Sequence, residues 1–132
     1  MIIIYKLSEE CGKLCAAIIN DMNIDMLRKI IRFELTTIDG GEKKSYVLEV
    51  KNCSSFLWLE KDKYTHETYD FSKCDYYELT SVDFIKISTN TTNEWLQQYS
   101  MDYNIAIEIW ETALLINAAD LSINDQHFII PK

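Results

Sequence analysis

Histidine and cysteine are the side chains in this sequence best suited to acid–base, nucleophilic or metal chemistry, and only a few are present. His66 and His127 stand alone in sequence, and neither is accompanied by a nucleophile motif. Structural and catalytic zinc sites need three or four protein ligands. We therefore predict no metal site, and we also predict no catalytic residue and no cofactor. Because no export signal is seen and free cysteines are commonly buried, the thiols are expected to be reduced, buried, small apolar side chains. The four cysteines are Cys11, Cys15, Cys53 and Cys74.

Paired carboxylates are a second source of chemistry, and Glu108 and Glu111 flank Trp110. Ile105, Ile107 and Ile109 alternate with polar or small residues, which predicts a strand that places Glu108 and Trp110 on one face. A glycosidase needs two carboxyl groups about 5–9 Å apart in a cleft. Because no second member of such a pair can be identified, we interpret this segment as a solvated face carrying a packed tryptophan.

Net charge is −8, and it is unevenly distributed along the chain. Residues 1–66 carry 10 basic and 10 acidic side chains, whereas residues 67–132 carry 3 basic and 11 acidic ones, which gives the whole −8. Such a surplus repels nucleic acid and anionic membranes and attracts cationic partners. The sequence therefore predicts a basic protein partner, no nucleic acid and no membrane contact. Simple solubilisation by net charge is the alternative.

Residues 64–77 combine acidic and aromatic side chains, including four of the eight tyrosines. Tyrosine offers a large contact area with little rotamer entropy to lose, and nearby carboxylates orient a basic partner. We predict a partner-binding surface in this stretch; tyrosines that pack back onto the sheet are the alternative. The residues expected to contact the partner are Tyr64, Glu67, Tyr69, Asp70 and Asp75.

The elements that position these residues follow from hydrophobic periodicity. Ser8 can cap a helix, and apolar residues from Cys11 to Ile19 recur at 3-4 spacing, so we predict a helix over residues 8–20. Alternation over residues 31–35 predicts a strand, and the turn signal Asp39-Gly40-Gly41 leads to its partner. That partner strand is predicted over residues 44–50 and resumes over 56–59. Further strands are predicted over 76–88, 105–110, 113–116 and 121–123, and the apolar residues 128–130 close the chain. The predicted pattern also contains an interruption at 52–55, a loop over 60–75 and a short helix over 94–99.

Strands in this order with short connections imply antiparallel pairing, because parallel strands need long crossovers. The fold class predicted is a single α+β domain over residues 1–132: an N-terminal helix followed by a mainly antiparallel meander of six or seven strands with one short helical insert. The apolar opening at Met1 is followed at once by Lys6, unlike a signal peptide. No run reaches the length of a membrane span. We therefore expect a cytoplasmic protein.

Three segments carry a resemblance to a known group: Asn52 to Trp58, Ile107-Glu108-Ile109-Trp110, and Ile123-Asn124 followed by Phe128. Together they resemble small proteins of Gram-positive bacteria that are encoded near secreted polymorphic toxins and are candidate immunity proteins. The likeness covers roughly residues 25–130 and consists of apolar strand fragments. It implies a non-catalytic protein that binds and silences a toxin in the producing cell, and it assigns no binding residue.

The function predicted is a non-catalytic protein-binding domain, of the immunity type, that occludes the cationic site of a basic toxin such as a nuclease. The alternative is a small-molecule-binding or enzymatic α+β domain with a pocket between sheet and helix, for which Trp58, Trp95 and Trp110 are the lining candidates. Homodimerisation through an uncovered sheet face or edge is a third option.

Overall fold

The structure is a computed structural model, and it describes residues 2–60, 75–85, 99 and 102–130, with side chains from Lys6 onward. One helix and eight strands lie within these ranges. They are α1 (Ile2–Gly12), β1 (Ala17–Asp25), β2 (Ile30–Asp39), β3 (Glu42–Glu60), β4 (Tyr77–Leu79), β5 (Ser81–Phe84), β6 (Ile105–Ile109), β7 (Thr112–Ile123) and β8 (Gln126–Ile129).

The hairpin of β2 and β3 forms as its sequence predicts. Ile31, Phe33 and Leu35 are buried, while Arg32 and Glu34 lie on the opposite face and pair at 3.1 Å. Gly40 and Gly41 form the two-residue turn with φ of 59° and 86°. Because a two-residue hairpin turn of this hand needs positive φ at both positions, glycine is the residue that fits it without strain.

Strand β3 is longer than predicted, because it joins the segments 44–50 and 56–59 into one 19-residue strand. The interruption predicted at 52–55 is a bulge: Cys53 pairs with Ala118 and Ser55 with Asn117, so one residue is extra. Asn52 has a φ of 54°, which asparagine tolerates better than most residues. The bulge bends β3, and its second half then pairs with β7 beyond the end of β2.

All strand pairs are antiparallel, but their order is not that of a simple meander. The order is β4-β1-β2-β3-β7-β6-β5, with β8 paired to β7. Only Thr80 separates β4 from β5, although β4 pairs with β1 and β5 pairs with β6. Because these two outer strands are consecutive in the chain, the sheet must curl until its edges meet. The result is a nearly closed barrel with one small helix, more specific than the predicted fold class.

Strand β7 replaces two predicted strands, 113–116 and 121–123, by one continuous element. Its first half pairs with β6 and its second half with β8. Between these partners, the buried side chain of Asn104 donates to the carbonyl oxygen of Ala118 at 2.7 Å and accepts from its N–H at 3.1 Å. The amide therefore satisfies the backbone of β7 on the edge that faces β6 and β8, at a position where neither of them pairs with it. The sequence pattern alone could not indicate this contact.

The predicted helix over 8–20 is wrong in both bounds. The helix spans Ile2–Gly12, and Ala17 already pairs with Leu79 in the sheet. Leu7 and Cys11, four residues apart, are buried on one face of the helix, and Leu14 is buried in the turn that follows it. The adjacent Ile18 and Ile19 favour a strand, since β-branched side chains pack well on a pleated surface. Between the two elements, Ala16 turns the chain with a φ of 64°.

The segment 76–88 is not one strand within the described residues, which reach 85: Thr80 divides it into β4 and β5. The predicted helix over 94–99 lies outside the described residues except for Tyr99, and the loop predicted over 60–75 does so except for Glu60 and Asp75. Among the described residues, no helix has the length and apolar character needed to cross a membrane.

The main core lies on the inner face of the curled sheet, where side chains from β1, β2, β3, β6 and β7 meet those of α1. A smaller cluster forms on the outer face, where Ala106, Ala113 and Leu115 pack with Leu59 and Ile85. Strands β6 and β7 are therefore buried on both faces near the hairpin that joins them. This double burial holds the β6–β7 hairpin, and the residues at its tip, in place.

Candidate functional site

Three aromatic rings meet at the tip of the β6–β7 hairpin and form what we call the aromatic cluster: Tyr76, Tyr77 and Trp110. The Tyr76 and Trp110 ring centroids are 5.8 Å apart in an edge-to-face arrangement, and those of Tyr77 and Trp110 are 6.4 Å apart. Tyr76 is 53% exposed and Tyr77 is 39% exposed. Edge-to-face pairs are favourable beyond simple burial. The cluster is therefore an ordered aromatic patch that faces solvent.

Trp110 holds an unusual backbone conformation, and it lies in the turn rather than in the strand predicted for it. Its φ is 50°, which is rare for a bulky residue and costs about 1–2 kcal/mol relative to the right-handed region. Its N–H donates to Thr80 Oγ1 at 2.9 Å, and the Thr112 hydroxyl donates to the Ile109 carbonyl at 2.7 Å. These bonds and the two tyrosine rings hold it in this conformation. Strain of this kind concentrates at functional sites.

Two exposed carboxylates are sequence neighbours of the aromatic cluster. Asp75 precedes Tyr76 and Glu111 follows Trp110, and both are exposed. The segments 75–85 and 102–130 contain eight Asp and Glu residues and no Lys or Arg. We call Asp75, Glu111 and the aromatic cluster together the aromatic–acidic surface.

Basic side chains lie elsewhere in the described residues. Lys43 and Lys44 are at the start of β3, in the hairpin with β2, whereas the aromatic–acidic surface adjoins the other end of this 19-residue strand. Lys13 and Lys44 line a second pocket of about 390 Å³ beside that hairpin. Lys13 also pairs with Glu10 at 2.8 Å. The two ends of β3 thus differ in charge.

An apolar pocket of about 340 Å³ opens beside the aromatic cluster, and we call it the Trp58 pocket. It lies between strands β1, β3, β4 and β6, and no residue of α1 is among its described lining residues. Tyr77 belongs to both the pocket and the aromatic cluster, so the two are continuous. The described lining residues are Ile19, Asn20, Asp21, Met22, Trp58, Tyr77 and Ile109.

The walls of the Trp58 pocket differ in chemistry from its rim. Ile19 and Ile109 are buried, and Trp58 is 39% exposed. The polar rim comes from the bulge in β1, where the pairing with β2 shifts between Ile19 and Asp21. There the Asn20 amide nitrogen donates to Thr36 Oγ1 at 2.7 Å. The bulge therefore places a fixed amide and an exposed carboxylate next to apolar walls.

Of the five residues predicted to bind a partner, Tyr64, Glu67, Tyr69 and Asp70 lie outside the described residues. Asp75 is described and belongs to the aromatic–acidic surface. For the alternative function, Trp58 lines a pocket, Trp110 belongs to the neighbouring cluster, and Trp95 lies outside the described residues.

Sequence reasoning missed the grouping of Tyr76, Tyr77 and Trp110. Trp110 is 33 residues beyond Tyr77 in sequence, and the pattern around it predicted a strand. The adjacent residues Tyr76 and Tyr77 are the one sequence feature that indicates an aromatic cluster, but they do not reveal that the third ring is Trp110. The polar rim was also missed, because a bulge in β1 has no glycine or other marker there.

His127 has a structural setting within the described part of the chain. Its Nε2 lies 2.6 Å from Asp120 Oδ2, and Asn52 donates to the other oxygen of Asp120 at 2.7 Å. Partial burial raises the pKa of Asp120, but the hydrogen bonds from His127 and Asn52 outweigh it, so the net pKa is lowered. In the part described, no hydroxyl or thiol hydrogen-bonds to His127. The network therefore joins β8, β7 and the β3 bulge rather than activating a nucleophile.

The described cysteines are poor nucleophiles or ligands. Burial raises the pKa of Cys11 to about 12 and that of Cys53 to about 11, so both stay protonated at neutral pH. Cys15 is exposed, contrary to the expected burial, and its pKa is raised by partial burial and by Asp83. Cys74 lies outside the described residues. Within those ranges no three His, Cys, Asp or Glu side chains converge as metal ligands would.

Fold and site together define the class of protein: a nearly closed antiparallel sheet with an aromatic, acidic surface and an apolar pocket continuous with it. The model of one protein family, described as YxiG-like protein, matches residues 7–128. The chain therefore belongs to the YxiG-like protein family. No curated protein matches it.

Proposed function

We propose that this chain is a non-catalytic protein-binding domain and that it binds a basic protein through the aromatic–acidic surface. One observation carries the proposal: the partly exposed rings of Tyr76 and Tyr77 pack on Trp110 in segments that hold eight carboxylates and no lysine or arginine. The proposed surface retains the acidic and aromatic chemistry expected from the sequence and includes Asp75 from the predicted residues. Its rings come from Tyr77 at the start of β4, from the preceding Tyr76, and from Trp110 in the β6–β7 turn.

Rigid aromatic side chains contribute large contact areas at low entropic cost, and interface hot spots are rich in tyrosine and tryptophan. The contacts within the aromatic cluster fix the rings before a partner arrives, which lowers the ordering cost of binding. The neighbouring carboxylates Asp75 and Glu111 attract a cationic partner over a distance and set its orientation. Affinity is therefore assigned to the rings, and association rate and selectivity to the charges.

The biological role that we propose is an immunity-type inhibitor acting in the cytoplasm. In this role the chain binds a basic toxin, such as a nuclease, and covers the cationic site with which the toxin holds nucleic acid. Occlusion requires no catalytic group. The net charge of −8 supports a basic partner.

The test is capture of partners from the source organism by the immobilised full chain, at ionic strengths of about 0.01 M and about 1 M. The screening length falls from about 30 Å to about 3 Å between these conditions. One variant carries Asp75→Lys and Glu111→Lys in the aromatic–acidic surface. Its matched control carries Asp39→Lys and Glu42→Lys in the exposed β2–β3 hairpin, which changes net charge by the same amount.

We expect a basic protein to be captured at low ionic strength by the wild type and by the hairpin control, and its association rate to fall at least tenfold with the Asp75 and Glu111 changes. Capture of no basic protein at either ionic strength would refute the proposal. Equal loss in both variants would mean that only net charge matters, and it would refute the assignment to this surface.

A small-molecule-binding role is the second candidate, and the Trp58 pocket favours it. A volume of about 340 Å³ is at the lower end of the range for ligand sites, about 300–1,000 Å³. The pocket lies among strands, however, and not between sheet and helix as the sequence suggested. Binding of a neutral metabolite with no capture of a basic protein would favour this candidate.

A homodimer is the third candidate, and self-association measured by light scattering would favour it.

A further inference from the structure

We propose that the Trp58 pocket receives one arginine side chain of the partner; this rests on the proposed function and specifies the partner's anchoring residue. The pocket adjoins the aromatic–acidic surface through Tyr77, which belongs to both. A partner seated on that surface would therefore place a side chain at the mouth of the pocket. With a volume of about 340 Å³, the pocket has room for one long side chain.

The walls match the stem of an arginine. Ile19, Met22 and Ile109 form the aliphatic part of the lining, and Ile19 and Ile109 are buried. Arginine packs its methylene groups on apolar surface and keeps its charged head apart. A purely apolar ligand would also use these walls, so the rings and the rim decide the specificity.

The rings match the guanidinium. Trp58 and Tyr77 supply aromatic surface, and both remain 39% exposed. A guanidinium stacks on such rings through cation–π attraction and is less strongly hydrated than the ammonium of lysine. This favours arginine over lysine as the occupant.

The rim supplies the counter-charge. Asp21 is exposed, and no Lys or Arg of the described ranges forms an ion pair with it. Its carboxylate suits the paired N–H groups of a guanidinium, which carboxylates accept in a bidentate manner. Asn20 is fixed beside it through its bond to Thr36. The lining of the pocket thus combines aliphatic walls, aromatic rings and one carboxylate, the three kinds of group that contact an arginine side chain.

The test is titration of the full chain with N-acetyl-arginine amide, while the indole N–H resonance of Trp58 is followed by NMR. N-acetyl-citrulline amide is the neutral isostere, and N-acetyl-leucine amide tests apolar binding alone. We expect saturable binding of the arginine probe and affinity at least about tenfold lower for the other two. Asp21→Asn should weaken the arginine probe by about the same factor, whereas Asp125→Asn in the β7–β8 turn should leave it unchanged.

Equal affinity for the citrulline and arginine probes, tighter binding of the leucine probe, or no response of Trp58 to any probe would each overturn the arginine assignment. These results come from the wild type, so they do not depend on a variant that folds. A basic protein captured by a chain that ignores the arginine probe would leave the proposed function standing and remove only this inference. Arginine binding without any captured basic protein would remove the proposed function.

Discussion

Replacing Asn104 by alanine should destabilise the protein strongly, because its amide completes the edge of β7. The side chain is buried and bonds both the carbonyl oxygen and the N–H of Ala118, at 2.7 and 3.1 Å. Strand β6 pairs with β7 up to Ile116, and β8 begins its pairing at Asp120. The amide fills the interval between these two ladders and fixes the start of β6, which leads to the hairpin with Trp110.

The magnitude follows from the groups left behind. Alanine removes two hydrogen bonds and leaves the buried N–H and carbonyl of Ala118 without partners, at about 1–3 kcal/mol for each group. The backbone bond from the Asn104 N–H to Ile116 remains, and relaxation of the strand end lowers the sum. We expect a loss of about 3 kcal/mol in the free energy of unfolding. With a urea m-value of about 2 kcal/mol/M, the midpoint falls by about 1.5 M.

Urea unfolding followed by tryptophan fluorescence measures this difference, and Asn23→Ala is the matched control. Asn23 is exposed in β1, so its loss should change the free energy of unfolding by less than about 0.5 kcal/mol. An Asn104→Ala midpoint within error of that control would refute the role given to the amide.

Asn104→Asp gives a second, independent readout. A carboxylate at this position can accept from the Ala118 N–H, but only a protonated carboxyl can donate to the Ala118 carbonyl. Burial and this carbonyl should therefore raise the pKa of the new carboxyl in the folded state above its unfolded value. Its stabilising contribution is then present below the unfolded pKa and is lost as pH rises through the folded pKa. A variant whose stability relative to wild type does not fall with rising pH would contradict this geometry.

Two further predictions concern charge and backbone. Partial burial raises the pKa of Asp120, but its hydrogen bonds with His127 and Asn52 lower that pKa on balance. The stability that Asp120 contributes is therefore present above about pH 4 and is lost as the pH falls through the lowered pKa of the folded state. Asp120→Asn should therefore cost stability at neutral pH and progressively less in acid. Asn23→Ala removes no titratable group, so its difference from wild type should not change with pH; urea unfolding at several pH values measures both. Ala16→Gly and Lys29→Gly should each stabilise by about 0.5–1 kcal/mol, since their φ values of 64° and 60° suit glycine. Thermal unfolding measures both, with Ser45→Gly in an exposed strand position as the control that should destabilise the protein. A loss of stability in Ala16→Gly or Lys29→Gly would contradict the strain assigned to these two positions.

Local sequence was sufficient for the parts of the fold that are held by local physics. Alternation from Ile31 to Leu35 and the pair Gly40-Gly41 predicted the β2–β3 hairpin, because its turn and strands are neighbours in sequence. The interruption at 52–55 was also predicted from its polar residues, and in the structure it is a bulge. The antiparallel character of the sheet followed from the short connections between strands.

Local sequence patterns could not predict which strands pair when they are far apart in the chain. The 3-4 spacing of Cys11 to Ile19 fitted a helix, yet β2 and β4 draw residues from Ala17 onward into the sheet. Backbone hydrogen bonds to two neighbouring strands outweigh a helical stripe whose last members also suit a strand. The division at Thr80 has the same origin, since β4 and β5 pair with strands on opposite edges.

By itself, the sequence determined a mainly antiparallel α+β protein whose surplus negative charge lies in its second half, because periodicity and charge are properties of neighbouring residues. Only the tertiary structure decided that Tyr76 and Tyr77 pack on Trp110, that Asn104 completes β7, and that Trp58 and Asp21 share a pocket. These groupings depend on closure of the sheet, which joins residues far apart in the chain and leaves no local mark on any of them.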